Sequence, residues 1–393
     1  MNNFGNPQPG DLELPRWLGM NQSIQRPEAE LPEKIQPLAA VKWGGVTQIL
    51  PERVESWSEL QPRLLPISCD PRPNDVLVGR VVDLGRHSSV ELSSGRRAQL
   101  YLGDVLVGAF GNRYATNQYE GIVPGRLEHY HMMSQGAVMG QVVSASYSMG
   151  DPTVIEPLGF LDNGAGEPVN LANYGLPRID QVPRVPVMLV LGSSMDAGKT
   201  TTAAALTRGL SLAGWRVHAG KLTGTGCAND INKMRDAGAQ RVLDFTSCGY
   251  VSTASAPAEA LEQISSRIIE HLSQGSPDLL VLEIADGIVQ SDTDRLARML
   301  SAAGRVDGVL LAVHDVLSAR TATEIVEQEF GLPVFGVSGA ATRSPLSTSE
   351  LIRLSTRMVY DVPALSHPGI ALDVEGYLSQ PQRCCDRSRI GVA

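Results

Sequence analysis

Gly198, Lys199 and Thr200 follow a continuous apolar run, Val187 to Leu191, across a short loop and open an alanine-rich stretch. Residue types in this order suit the binding of phosphate. A buried strand would end at Leu191. The backbone N–H groups of the loop and of the helix start would then converge on a phosphate, where the helix dipole also favours negative charge. The Lys199 ammonium would reach the β- and γ-phosphates of a nucleotide, and the Thr200 hydroxyl would hold Mg²⁺. The loop departs in one place from the common G-x-x-x-x-G-K-[ST] spacing. The first glycine position holds Ser193, and Gly192 stands one place earlier, separated from Gly198 by five residues. The nucleotide-binding residues expected are therefore Gly192, Ser193, Ser194, Met195, Asp196, Ala197, Gly198, Lys199, Thr200 and Thr201.

Such a loop transfers nothing unless a carboxylate at the end of a neighbouring strand helps to hold the metal or its water. Glu283 ends the run DLLVLE and is the first candidate; Asp286, followed by Gly287, is the second. A strand-end acid paired with a nearby lysine, or capping the next turn, is the alternative.

The segment GSSMDAGKTT resembles the loop of dethiobiotin synthetase and of the glutamine-dependent cobyric and cobyrinic acid synthetases, a group related to the MinD-like ATPases. The resemblance covers roughly residues 184 to 345. It implies a P-loop domain dependent on ATP and Mg²⁺, of the type that phosphorylates a small carboxylate or carbamate. Glu283 in LEIADG matches the acidic residue that helps to hold the metal in the strand-end VEGAG segment of these proteins. The stretch KLTGTGCAND matches the place where they present a lysine and hydroxyls to phosphate and substrate. On that reading Lys199, Lys221 and Glu283 are catalytic, and Thr223 and Thr225 contact substrate. Thr200, Glu283 and Asp230 hold the metal, although Asp230 and Asp236 also suit a plain surface charge cluster beside Lys233 and Arg235. Asp244, Ser252 and Thr253 are further candidates for the cleft. The guanine-reading N-K-x-D signature is absent where VHDVLSA stands, which favours ATP, and GVSGAATRSP with Arg343 falls where the base would be contacted.

These residues need an α/β frame. Apolar runs at 187–191, 216–219, 279–284, 308–313 and 333–337 alternate with helical patterns at 199–213, 231–237, 258–272, 293–302 and 318–329. Buried strands alternating with amphipathic helices predict a mostly parallel sheet covered on both faces. Upstream the texture differs. VLVGRVV, SSVELSS, RRAQLYL and DVLVGAFG, with a hairpin turn at Ser93 to Gly95, predict a smaller β-rich domain over 71–175, an antiparallel barrel or sandwich. Prolines such as Pro7, Pro15 and Pro37, with Trp17, Trp43 and Trp57, predict an irregular arm over 1–70. The stretch NYGLPRIDQVPRVP reads as a linker, 184–370 as the P-loop domain and 371–393 as a tail holding the adjacent thiols Cys384 and Cys385.

In the β-rich domain, GAFGNRYATNQYEG gathers Asn112, Arg113 and Tyr114, residues suited to recognising an anion or an aromatic group, or forming a polar hairpin tip. His129 and His131 stand two apart, either a solvated pair or part of a metal site lacking a third ligand.

The chain has 393 residues and a net charge of −9, from 33 Lys+Arg and 42 Asp+Glu, with no long basic run. That argues against nucleic acid as a partner. Neither a membrane-spanning run nor a signal peptide is read, so a cytoplasmic protein is expected, with a small-molecule substrate and a homodimer or higher homo-oligomer. Five scattered cysteines indicate neither a disulfide framework nor a zinc site. The function expected is that of an ATP- and Mg²⁺-dependent synthetase or kinase, transferring the γ-phosphoryl to a carboxylate-type acceptor bound between the domains. The alternatives are a MinD-like ATPase switch acting on a protein partner, and a loop that holds the pyrophosphate of a cofactor such as coenzyme A.

Overall fold

A computed structural model describes residues 41–380. The first part of the described chain builds strands β1 (Lys42–Trp43), β2 (Leu64–Leu65), β3 (Val76–Asp83), β4 (Ser89–Glu91), β5 (Arg97–Gln99), β6 (Val105–Phe110), β7 (Tyr119–Ile122), β8 (Tyr130–Met132), β9 (Val138–Ala145) and β10 (Thr153–Leu161), with a short helix α1 (Trp57–Leu60). β3 pairs with β6 and β10, β10 with β8, β8 with β9, and β9 returns to β6. Five strands therefore close on themselves as a small barrel, which removes exposed sheet edges. Alternate residues of one strand face opposite sides. Leu77, Leu106, Phe110, Tyr130 and Phe160 form one cluster, with Phe110 edge-on to Tyr130 at 4.9 Å between ring centres. Val76, Val78, Val105 and Val107 fall in a second cluster with Trp43, Leu60 and Val251. Both faces are buried, so these strands read as continuous apolar runs.

The barrel is not purely antiparallel as expected, because β6–β9 and β1–β6 are parallel. β7 and β8 lie between β6 and β9 in the chain, and a connection of that length can return to the same direction where a tight hairpin cannot. The expected hairpin is present, with β4 antiparallel to β5 and Gly95 at φ 83° between them.

The irregular arm expected over 1–70 needs correction in its described part. β1 lies beside β6, β2 beside β10, and the Trp43 indole donates to the Val54 carbonyl at 2.7 Å. Two-residue strands fall below the length at which an alternating pattern can be recognised, and the prolines lie outside them, with Pro62 opening a short 3-10 turn before β2 and Pro66 following it. Residues 1–40, with Trp17 and the prolines from Pro7 to Pro37, lie outside the described residues. The linker stretch runs along the second region, where Leu176 N–H donates to the Ser247 carbonyl at 2.9 Å and Ile179 N–H to Glu270 at 2.9 Å.

The second region has seven strands: β11 (Val187–Gly192), β12 (Val217–Lys221), β13 (Arg241–Asp244), β14 (Leu279–Glu283), β15 (Gly308–Ala312), β16 (Val334–Ser338) and β17 (Met358–Val359). Their order is β13-β12-β14-β11-β15-β16-β17, every pair parallel, so this is the α/β sheet predicted. Helices α2 (Lys199–Leu212), α3 (Asn229–Asp236), α4 (Ala258–Leu272), α5 (Ser291–Ala302), α6 (Ser318–Glu324), α7 (Pro345–Leu354), α8 (Val362–Ser366) and α9 (Ile370–Leu378) connect and cover them. Two apolar clusters, one for each face of the sheet, bury Leu189 and Leu282 on one side and Val190 and Val281 on the other. The tail expected from 371 instead begins as α9, whose Ile370, Ala371 and Val374 are buried against α2. Cys384 and Cys385 lie outside the described residues. No helix among the described residues is long and apolar enough to cross a membrane.

Candidate functional site

Parallel strands bring their C-terminal ends to one edge, and there the loops converge. β14 lies between β11 and β12, with Val190 opposite Glu283 and Lys221 opposite the same Glu283. One edge therefore presents the end of β11, the Lys221 side chain and the Glu283 carboxylate together. From Gly192 the loop runs to Gly198, and α2 begins at Lys199. Gly198 has φ 95°, where any other residue would be strained, and a Cβ there would stand 3.1 Å from Ala340 N, a tight contact. At Gly192 a Cβ would come within 2.8 Å of the Lys199 stem. The glycine thus stands where the lysine crosses the loop, a physical reason for Ser193 to be tolerated at the place next to it.

The Lys199 ammonium donates to the Ser194 carbonyl at 2.8 Å and folds over its own loop. Thr200 Oγ1 donates to Glu283 Oε1 at 3.0 Å. Lys221 forms an ion pair with Asp230 and lies 3.8 Å from Glu283 Oε1. Glu283 Oε2 is buried and has no hydrogen-bond partner. Burial pushes the Glu283 pKa up, against the pull of Lys221. Burial likewise lowers the Lys199 pKa. Burial would lower that of Lys221 too, but Glu283 and Asp230 outweigh it and raise it. A hydroxyl and two carboxylates gather here, one with an oxygen unused. Such hard oxygen donors fit Mg²⁺, which takes few protein ligands and retains waters.

A cavity of about 1170 Å³ opens over this edge, with Lys199, Thr200, Lys221, Asp230 and Glu283 among its walls. Asp286, Thr225 and Arg343 also line it, as does Thr201. Thr223 does not reach it: the side chain is buried and its hydroxyl accepts from Ala285 N–H at 2.9 Å, bracing the turn after Glu283. Asp244 accepts from both Thr246 N–H and Thr246 Oγ1, and Thr253 Oγ1 accepts from Gly224 N–H, so these polar side chains cap turns rather than line the cleft. The loop after β16 lies on the phosphate loop, with Ala340 N–H donating to the Ala197 carbonyl at 2.8 Å.

The opposite wall belongs to the barrel. Arg113 and Tyr114 line the cavity, whereas Asn112 accepts from Val123 N–H at 2.8 Å and fixes its own loop. From that loop Asn117 donates to Asp196 Oδ2 at 2.6 Å. Three barrel residues not anticipated from sequence tie the walls together. Ser134 Oγ donates to the Gly226 carbonyl at 2.9 Å, Glu91 Oε2 accepts from Ala228 N–H at 2.6 Å, and Asn74 Oδ1 accepts from Val251 N–H at 3.0 Å. Each is an ordinary strand or turn residue with no local signal of a distant partner. His129 and His131 do not converge. His129 is exposed outside β8, while His131 is buried and its Nδ1 accepts from Val142 N–H at 3.0 Å.

No protein-family model matches the chain, and no curated protein matches it. Among solved structures, the signal recognition particle receptor FtsY from Elizabethkingia anophelis in complex with GDP is similar over 49% of this chain and 66% of that one, at 17% identity and TM-score 0.31. A DUF1611 family protein from Anabaena variabilis is similar over 51% and 62%, at 14% identity and TM-score 0.35. The kinase domain of Escherichia coli tyrosine kinase ETK is similar over 39% and 66%, at 15% identity and TM-score 0.29. The chain thus spans about two thirds or less of each of these proteins. The P-loop architecture of the second region rests on its own strand order and loop geometry.

Proposed function

We propose that the protein is an ATP- and Mg²⁺-dependent synthetase or kinase of the dethiobiotin synthetase-like type, which transfers the γ-phosphoryl to a small carboxylate-type acceptor held between barrel and sheet. One observation carries this reading: the cavity that contains Lys199, Thr200, Lys221 and Glu283 is closed on its other side by barrel residues. At about 1170 Å³ it exceeds the roughly 300–1,000 Å³ typical of a single small-molecule site, leaving room for a second ligand.

In this reading the N–H groups of residues 194–199 take the β-phosphate, while the Ser193 N–H stays with the Ala312 carbonyl, and Lys199 leaves the Ser194 carbonyl to offset charge on the phosphoryl oxygens. Thr200, Glu283 and Asp230 would hold magnesium, which when bound supplies positive charge to the β- and γ-phosphate oxygens. Lys221 lies beside the two carboxylates and offsets charge as the phosphoryl passes to the acceptor oxygen and ADP leaves. The residues after β16, with Arg343, contact the base. The first test is ATP turnover by the purified protein with Mg²⁺, with and without a mixed metabolite extract. A phosphorylated product that appears only with extract, and is lost in Lys199→Ala, is the expected result. Turnover that the extract leaves unchanged would overturn the reading.

A MinD-like switch is the second reading, favoured by the Asn117–Asp196 contact that links barrel and phosphate loop. Against it, the early loop positions where such switches carry a signature lysine hold Ser194 and Met195. ATP-dependent dimerisation without an acceptor would support it.

A further inference from the structure

Arg113 lies between β6 and β7, where its backbone exchanges two hydrogen bonds with Gly121, at 2.8 and 2.9 Å. The backbone is therefore held firmly, and the side chain is only 7% exposed. Its guanidinium lies over the Tyr119 ring, 6.0 Å from the centre, and one terminal nitrogen donates to Gln118 Oε1. The Nε and Nη1 atoms are buried without an acceptor. No carboxylate stands within ion-pair distance of Arg113 among the described residues, and unlike Arg113 the other arginines lining this cavity, Arg86, Arg97 and Arg343, are exposed to solvent. Burial brings the Arg113 pKa down to about 10, so the group is still charged at neutral pH.

A buried, unpaired guanidinium is costly, and an apolar residue of similar size would be the more stable choice. Retention of the charge is explained if a ligand supplies the missing acceptors. Arg113 lines the same cavity as the phosphate loop, and Asp286 is within electrostatic reach of both Lys199 and Arg113. Cys227, another neighbour, is a poor counter-charge, since burial pushes its thiol up to about 12. Arg86, Arg97 and Glu91 line the same wall, while Asp196, Asp230, Glu283 and Asp286 belong to the opposite one.

We propose that Arg113 forms an oxyanion subsite on the barrel wall, separate from the phosphate loop, which binds a carboxylate or phosphate group of the acceptor. This rests on the reading of the cavity as a phosphoryl-transfer site. It adds that the barrel selects the acceptor by an anionic group held at Arg113.

The test is calorimetric titration of the full chain, with the phosphate loop first saturated by Mg·ADP. Succinate and inorganic phosphate are then titrated separately at constant ionic strength. One of them is expected to bind saturably, and which one does so distinguishes a carboxylate from a phosphorylated acceptor. In Arg113→Gln the affinity for that anion should fall by about tenfold or more, as expected for loss of a charged hydrogen bond, with ADP affinity unchanged. ADP binding without anion binding, or anion binding that Arg113→Gln leaves intact, overturns the subsite alone. Failure of ADP to bind overturns the reading of the site and the subsite with it. Arg113→Met guards against misfolding as the cause. It should keep or raise the thermal midpoint without anion while losing anion binding, whereas an arginine that only supports the fold would lower the midpoint when replaced.

Discussion

The barrel and the sheet treat buried titratable groups differently. On the sheet side, Lys199, Lys221, Asp230, Thr200 and Glu283 crowd one edge, and each charge is offset by its neighbours. On the barrel side, His87 and His131 are buried with backbone partners, and burial brings the pKa of each down to about 4, so both are neutral. Asp75 and Asp104 are buried on that side too, paired with Arg72 and Lys42, and Arg113 differs from them in being charged without an ion pair. Charges crowd together where phosphate would be handled, whereas in the barrel the buried charges stand apart, two in separate ion pairs and Arg113 alone. A mutation should therefore affect activity or stability according to the wall it alters.

The largest effect is expected from Glu283→Gln. The amide keeps the volume and can still accept from Thr200, but it cannot offer the metal a charge. Turnover should fall by about 10²–10³, as for loss of other transition-state electrostatics, with ADP affinity and thermal midpoint close to wild type. Undiminished turnover would remove Glu283 from the site.

Acid sharpens the comparison. An unfolded histidine titrates near 6.5, whereas His87 and His131 in the fold titrate at about 4. Between those values the unfolded chain binds protons that the fold does not. Stability is thus fully present above pH 6.5 and declines as pH falls toward 4, by up to about 3 kcal/mol for each histidine. In His131→Asn the new amide oxygen can take the Val142 N–H, and acid unfolding of the barrel followed by Trp43 and Trp57 fluorescence should become less steep. An unchanged acid limb would show that His131 is not held neutral.

The smallest effect tests the seam between the regions. A Cβ on Gly136 would stand 2.2 Å from the Gly226 carbonyl oxygen, so Gly136→Ala must push barrel and sheet apart. Overpacking of this kind costs roughly 1–3 kcal/mol, which a thermal melt would resolve. If the two regions act as one site, acceptor-dependent turnover should fall further than ADP binding does. An equal fall in both would argue against a shared cavity.

Much of the sheet was legible from its pattern. Buried parallel strands are apolar throughout, their helices are amphipathic, and α4 over 258–272 has the bounds its periodicity predicts. That Lys199, Thr200 and Glu283 meet at one edge could be anticipated because the loop is local: a few consecutive residues determine its shape, and Glu283 ends a recognisable strand. Thr223 was misplaced in the cleft because composition says that a hydroxyl is present, not which way it points. The described part of the arm was missed because strands as short as β1 and β2 derive their order from a partner rather than from their own pattern.

By itself, then, the sequence determined the α/β alternation, the phosphate loop with its carboxylate, and the β-rich character of the first region, all properties of short-range periodicity and local chemistry. Only the tertiary structure decided that five strands close into a barrel, that Lys221 pairs with Asp230 beside Glu283, and that Arg113 is buried facing the phosphate loop. Those outcomes join residues far apart in the chain. Their energies come from desolvation and contact, which exist only once the strands and loops concerned have packed.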